Sequence, residues 1–173
     1  FYGKPSGRLI LTGITGTNGK TTTAYLLESI YKLAGAKPGV IGTIDYRVDG
    51  AVISKAPNTT PLAHDLHALF SRMLEAGSKA VVMEVSSHAL ALNRVDEAAF
   101  DVAVFMNLQR DHMDFHKDRE NYFKAKLRLF KLTEASPKKS KRAVINSDDE
   151  KAGEIYKAVK GRLEMITFGI DKP

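Results

Sequence analysis

Residues 13–23 read Gly13-Ile14-Thr15-Gly16-Thr17-Asn18-Gly19-Lys20-Thr21-Thr22-Thr23. An apolar strand candidate, Arg8-Leu9-Ile10-Leu11-Thr12, leads in, and a helical pattern leads out. Strand, glycine loop, lysine, helix is the order of a phosphate-binding loop. Glycines let backbone N–H groups wrap phosphate oxygens, and the helix N-terminus adds the positive end of its dipole. Lys20 adds a full charge, and the Thr21 hydroxyl can hold Mg²⁺. The strict pattern asks for Gly, four residues, then Gly-Lys-Ser/Thr. Its first position falls on Ile14, with Gly13 one place early, so the match is to a variant, Gly16-Thr17-Asn18-Gly19-Lys20-Thr21. A glycine-rich turn with a chance lysine would explain the loop but not its flanks. Threonine is a poor helix former, so three in a row at a helix start suggest a role for Thr21 or Thr22 beyond filling a surface.

Outward from the loop, residues 21–34 read as an amphipathic helix carrying Ala24, Leu27, Ile30 and Ala34, with Gly35 as its C-terminal cap. Gly39 to Val48 reads as strand, Asp49-Gly50 as a hairpin turn, and Ala51-Val52-Ile53 as the return. Thr60 is a good N-cap and Pro61 a good first residue for a helix that carries Leu62, Leu66, Leu69, Phe70 and Met73 and stops at Gly77. Short apolar runs at 80–83, 102–106, 143–145 and 165–168 are of buried parallel type. Helical segments near 86–97, 118–132 and 148–160 separate them. The alternation predicts an α/β fold, a mostly parallel sheet flanked by helices with a phosphate-binding loop.

Ligands in such a sheet sit at the carboxyl ends of the strands. Three polar clusters meet that condition: Glu84 to His88, Asn107 to His116, and Asn146 to Asp149. Glu84 ends an otherwise apolar strand, where a carboxylate can ligate Mg²⁺ beside a nucleotide. Arg110-Asp111-His112-Met113-Asp114-Phe115-His116 is dense in ionisable groups, and from its residues either His112 or His116 is a site candidate. His64 and His67 lie three apart on a helix without an acidic partner at metal-ligand spacing, and read as surface residues. Asn58-Thr59-Thr60-Pro61 has a full explanation as a helix cap.

Composition narrows the classes. The chain has 173 residues, 43% hydrophobic and 27% charged, ordinary for one globular domain. It carries no apolar run long enough to span a bilayer and no h-region in Phe1-Tyr2-Gly3-Lys4-Pro5-Ser6-Gly7. Zero cysteines exclude disulfides and thiolate chemistry. The net charge of +6 suits polyanionic ligands or a solvated surface. The densest basic run, Lys138-Lys139-Ser140-Lys141-Arg142, has no interleaved aromatics and reads as a solvated turn; no nucleic-acid or membrane partner is expected. The chain starts close to its first strand and ends at Lys172-Pro173, just after its last, as an excised domain would.

The ordered motifs resemble the Mur ligases: Gly16 to Thr23, Asn58-Thr59-Thr60-Pro61, Met83-Glu84-Val85-Ser86-Ser87-His88, Asn107 to His116, Tyr122-Phe123-Lys124-Ala125-Lys126, and Ile145 to Asp149. They look most like the branch that adds the third amino acid of the peptidoglycan peptide. The resemblance covers essentially the whole chain. It implies the central ATPase domain of a longer polypeptide in the bacterial cytoplasm, with a UDP-binding domain before it and an amino-acid-binding domain after it. It implies that Gly16, Thr17, Asn18, Gly19, Lys20, Thr21 and Thr22 cradle ATP, with Lys20 on the β/γ-phosphates. Thr21, Glu84 and His112 match Mg²⁺ ligands. Lys126 matches a lysine that the family carbamylates with CO₂; on pattern alone it is one lysine of a basic helix (Lys124, Lys126, Arg128, Lys131). A carbamate there would turn a repelling ammonium into an anionic oxygen ligand. Thr59, Thr60, Ser86 and Arg94 match positions that bind a UDP-muramoyl dipeptide. Asn146 matches the residue that reads adenine, with Asp149 nearby. The family often has glutamine where this chain has Leu92, a departure that bears on one substrate hydrogen bond and not on the reaction.

The reaction so implied is ATP-dependent ligation: a substrate carboxylate takes the γ-phosphoryl group, and the amine of an incoming amino acid (meso-diaminopimelate or L-lysine) displaces phosphate to form an amide. The related folylpolyglutamate synthetases typically have Gly-Lys-Gly-Ser where this chain has Gly19-Lys20-Thr21-Thr22. A nucleotide-binding module without catalysis, and a small-molecule kinase with a stable phosphorylated product, are the alternatives outside the ligases.

Overall fold

The computed structural model describes residues 2–172. Phe1 and Pro173, which close the terminal stretches Phe1–Gly7 and Lys172-Pro173 read above, lie outside the described residues. After a turn of 3-10 helix at Pro5–Arg8, the elements run β1 (Ile10–Thr15), α1 (Lys20–Leu33), β2 (Gly39–Ile41), β3 (Asp45–Val48), β4 (Ala51–Lys55), α2 (Ala63–Glu75), β5 (Ala80–Glu84) and α3 (Ser87–Ala91). Then come β6 (Val102–Phe105), α4 (Met113–His116), α5 (Arg119–Ala135), β7 (Arg142–Asn146), α6 (Ala152–Val159) and β8 (Glu164–Phe168).

The strands form one sheet in the order β4-β3-β2-β5-β1-β6-β7-β8. The pairs β2/β5, β5/β1, β1/β6, β6/β7 and β7/β8 are parallel, and the β3/β4 hairpin extends the β2 edge antiparallel. The predicted mostly parallel sheet is therefore present. β1 lies centrally, between β5 and β6, with Ile14 opposite Glu84 and Thr15 opposite Phe105. The ends of these strands thus share one edge.

Successive strand residues point to opposite faces, and the core divides on that alternation. Leu11, Ile41, Val81, Met83, Ala103, Phe105, Ala143 and Ile145 pack in the larger core with Leu66, Phe70 and Met73 of α2, Phe123, Leu129 and Phe130 of α5, and Ile155 and Val159 of α6. Their neighbours Ile14, Val40, Val82 and Val104 form a second cluster with Ala24, Tyr25 and Leu27 of α1.

The elements depart from the sequence reading in several places. Gly39–Val48 is two strands, because β2 pairs in parallel with β5 while β3 turns back along β2. Helix α1 turns Ala24 and Glu28 inward, leaving Ile30 59% exposed; the apolar stripe is wider than the face the sheet covers. Leu62, not Thr60, is the N-cap of α2, since Thr60 is drawn inward to Glu84. The segment after Glu84 is helical only over Ser87–Ala91. Lys138 is no solvated turn residue: its Nζ lies 2.9 Å from Asp101 Oδ2 and also donates to the Leu9 carbonyl. It ties the segment before β7 to the segments leading into β1 and β6.

Candidate active site

β1 delivers the phosphate loop to the middle of the carboxyl edge. Gly16 sits at φ 155°, and a Cβ there would stand 2.7 Å from Met106 Cβ. Only glycine lets the loop press this closely on the end of β6. Gly19 takes φ 86° and opens α1 without a side-chain cap. The leading N–H groups of α1 are therefore free to meet an anion, and the helix dipole favours one.

Asn107 holds the loop from the side. Its Oδ1 accepts from the N–H of Asn18 at 2.9 Å and of Thr17 at 3.1 Å, and its Nδ2 donates to the Asn18 carbonyl at 3.2 Å. The Thr17 hydroxyl accepts from Gln109 N–H at 2.9 Å and lies 3.2 Å from the Tyr122 hydroxyl.

Two ammonium groups converge on one carbonyl. Lys20 Nζ donates to the Gly16 and Thr17 carbonyls, each at 2.9 Å. Lys126 Nζ, on α5, donates to the same Gly16 oxygen at 2.9 Å and lies 4.3 Å from the Tyr122 ring centroid. Burial lowers Lys20 below its ordinary value, with Glu84 and Asp111 opposing. Lys126 is only 1% exposed. Burial first, and then the Lys20 charge, bring it down from 10.5 to about 7. A neutral amine with a free lone pair is thus readily populated near neutral pH.

Glu84 is also 1% exposed. Its Oε1 accepts from Thr21 Oγ1 and from Thr43 N–H, each at 2.9 Å, and its Oε2 lies 3.1 Å from Thr43 Oγ1. These partners are neutral. A buried carboxylate beside a threonine hydroxyl is a set of hard oxygens, which suits Mg²⁺. Among the described residues no three His, Cys, Asp or Glu side chains form a ready metal cage. Mg²⁺ asks for no such cage: one or two carboxylates with phosphate and water suffice.

Thr59, Thr60, Ser86 and Arg94 gather around the end of β5 that carries this carboxylate. Thr60 Oγ1 donates to the Glu84 carbonyl at 2.9 Å and accepts from Ser86 N–H at 3.0 Å. Arg94 Nη1 donates to the Thr60 carbonyl at 3.3 Å, and Thr59 Oγ1 lies 3.2 Å from Thr43 Oγ1. Ser86 caps α3 by accepting from Ala89 N–H at 3.1 Å. Leu92 is the C-cap of α3 and is 51% exposed.

His112 sits at φ 53°, its half-exposed ring 4.8 Å from that of His88 and 6.1 Å from that of Tyr122. His116 is turned inside, with Nε2 2.9 Å from Ser87 Oγ and its ring 5.1 Å from that of Tyr122. Burial, followed by the His88 and Lys126 charges, lowers its pKa. His64 is exposed, and His67 packs edge-on against Phe70 with ring centroids 6.0 Å apart. Asn146 and Asp149 brace the loop's neighbour. Asn146 Nδ2 donates to the Met106 carbonyl at 2.8 Å, and Asp149 Oδ2 accepts from Leu108 N–H at 2.7 Å.

Three residues of this site were given no role of their own from the sequence. Asn107 opens the polar cluster Asn107 to His116, marked by its place after an apolar strand, but was not assigned to holding the loop. Tyr122 lies one helical turn before Lys126 within the motif that carries it. Thr43 sits between two short strands and gives no signal.

A family model described as "Mur ligase middle domain" matches residues 14–173. A protein of Solibacter usitatus named UDP-N-acetylmuramoyl-L-alanyl-D-glutamate–2,6-diaminopimelate ligase is 51% identical over 170 residues, covering 98% of this chain and 33% of that protein. One of the same name in Streptomyces avermitilis is 52% identical over 171 residues, covering 99% and 32%. The chain thus spans about a third of the length of these relatives. A solved structure of a ligase of that name superposes with a TM-score of 0.84 at 30% identity, over 95% of this chain and 32% of that one. Escherichia coli FolC, solved with DHPP and ADP, superposes at a TM-score of 0.69 and 22% identity over 96% of this chain and 44% of its own. At that identity the FolC likeness concerns the fold alone.

Proposed function

Because the chain belongs to the Mur ligase family as a middle domain, we propose that it is the phosphoryl-transfer unit of a longer ligase, which joins 2,6-diaminopimelate to UDP-N-acetylmuramoyl-L-alanyl-D-glutamate. The amino acid is the one in the relatives' names, and it would be held mainly by parts of the polypeptide outside this chain. ATP enters with its phosphates on the N–H groups of residues 16–22 and its base toward Asn146 and Asp149. Lys20 releases the Gly16 and Thr17 carbonyls to meet the β- and γ-phosphates. Thr21 and Glu84, with His112, would hold Mg²⁺, which when bound neutralises charge on the phosphates and on the group in flight. Lys126 would supply a neutral amine that adds to CO₂ and loses a proton, and the resulting carbamate would help Thr21, Glu84 and His112 hold the cation.

Thr59, Thr60, Ser86 and Arg94 orient the dipeptide carboxylate beside Glu84. One of its oxygens attacks the γ-phosphorus as the bond to the β-bridging oxygen breaks and ADP leaves. The amine nitrogen then attacks the acyl carbon, phosphate departs, and the nitrogen gives up a proton, leaving the amide. Both attack steps bring anion or lone pair toward anion, which positive charge fixed at Lys20 eases.

One observation carries this reading: the Thr21 hydroxyl and the buried Glu84 carboxylate meet at 2.9 Å at the mouth of the uncapped helix. The test is hydroxylamine trapping with the parent polypeptide, Mg²⁺-ATP and the dipeptide substrate, without amino acid. A hydroxamate of the dipeptide is expected. ADP formation without a trappable acyl group would overturn the ligase chemistry. A bacterial cytoplasmic setting accords with these substrates. Among the described residues no helix is long and apolar enough to cross a membrane.

A further inference from the structure

We infer that Tyr122 is a positioning residue that ties the phosphate loop to the Lys126 side chain, so that cradle and lysine respond as one unit. The inference deepens the proposed function and rests on the nucleotide reading of the loop. Tyr122 is buried to 1% exposure on α5, one helical turn before Lys126. Its two ends do different things. The hydroxyl reaches the loop, 3.2 Å from Thr17 Oγ1. The ring face lies under the Lys126 Nζ, 4.3 Å from the ring centroid, and so fixes where the end of that side chain rests.

The contacts close into a circuit. Lys20 donates to the Thr17 carbonyl, Thr17 meets Tyr122, Tyr122 carries Lys126, and Lys126 returns to the Gly16 carbonyl that Lys20 also uses. Phosphate on the loop must draw Lys20 away from those carbonyls and thereby shift Thr17. The tyrosine hydroxyl passes that shift to the platform on which Lys126 rests. Phenylalanine would fill the same space and keep the platform, yet could not reach the loop. Pure packing would make that replacement silent.

The experiment uses the full-length polypeptide labelled with ¹³C-lysine, its Lys126 Cε resonance assigned by disappearance in Lys126→Arg. In the parent sequence that resonance is expected upfield, displaced by the Tyr122 ring current, and it moves when Mg²⁺ and a non-hydrolysable ATP analogue are added. Tyr122→Phe should keep the ring-current displacement, lose most of the nucleotide response, and bind the analogue about 2- to 10-fold more weakly, the worth of one neutral hydrogen bond. Tyr122→Leu should lose the displacement itself. A Tyr122→Phe protein that binds and responds like the parent overturns the inference, as does an unshifted Lys126 resonance in the parent. Absence of any nucleotide binding by the parent would instead sink the proposed function on which the inference stands.

Discussion

The Lys126 ammonium nitrogen and the Gly16 carbonyl oxygen stand 2.9 Å apart, though their residues are 110 apart in sequence number. Lys20 donates to the same oxygen at the same distance. Two like charges on one buried acceptor repel, and that repulsion adds to the burial that already disfavours the Lys126 charge. The folded chain thus prepares one lysine, from a helix far along the sequence, to lose its proton readily near neutral pH beside the phosphate cradle.

The lowered Lys126 pKa sets a pH dependence of stability. The unfolded chain keeps this proton up to about 10.5, the folded chain only to about 7. Between those values the unfolded state binds more protons, so stability rises with pH, by up to about 1.4 kcal/mol per pH unit; below pH 7 the cost of the buried charge is present in full. Lys126→Met removes the group. Its stability advantage over the parent chain, measured by urea unfolding, should shrink from pH 7 to pH 9. A constant or growing advantage would contradict the shift.

Lys126→Ala in the full-length parent should abolish ligation, by about 100-fold or more if the residue supports charge in the transition state. Excess bicarbonate should not restore it, because no amine remains to carry a carbamate. Retained activity would remove the carbamate from the proposed function.

Glu84→Gln keeps the size of the side chain and deletes its charge. Mg²⁺ should then no longer strengthen ADP or ATP binding, a response that EDTA should abolish in the parent chain. Calorimetric titrations with and without Mg²⁺ measure the effect. Loss of a charge-assisted bond to Thr21 or Thr43 should also cost about 1–3 kcal/mol of stability.

Asn107→Ala frees the backbone of Thr17 and Asn18 from three side-chain bonds. Nucleotide affinity should fall about 10-fold or more, since binding must then order the loop. Hydrogen exchange at Asn18 should quicken in the nucleotide-free protein, more than at Thr17, whose N–H keeps the Asn107 backbone carbonyl at 3.1 Å, while β5 and its neighbours keep the parent's protection.

Gly16→Ala and Gly153→Ala form a matched pair. At Gly16 an added Cβ meets Met106 Cβ at 2.7 Å with φ at 155°, so the change should displace the loop and weaken nucleotide binding severely. At Gly153, inside α6, nothing lies within 4 Å and the change should stabilise by roughly 0.5–1 kcal/mol. Thermal melts and nucleotide titrations of both proteins check the contrast.

The parallel sheet was legible because apolar runs punctuated by helices admit few other arrangements. The phosphate loop was legible because its chemistry lies within eleven consecutive residues, 13–23. Lys126 became a site candidate only through resemblance, for in its own helix it is one cation among several. Thr60 was read as a helix cap because a threonine before proline suffices for one; the fold instead spent its hydroxyl on the Glu84 carbonyl. Lys138 was read as solvated because its neighbours are charged, whereas Asp101 and Leu9 reach it from distant segments. By itself the sequence determined what is encoded within a few residues: strand and helix periods, the glycine loop, and the ligand class that loop can hold. The tertiary structure alone decided which distant groups share a carbonyl, which carboxylate is buried, and which amine gives up its proton. Those depend on burial and on charges that meet only when β1, β5, β6 and α5 come together, and local spacing carries no record of either.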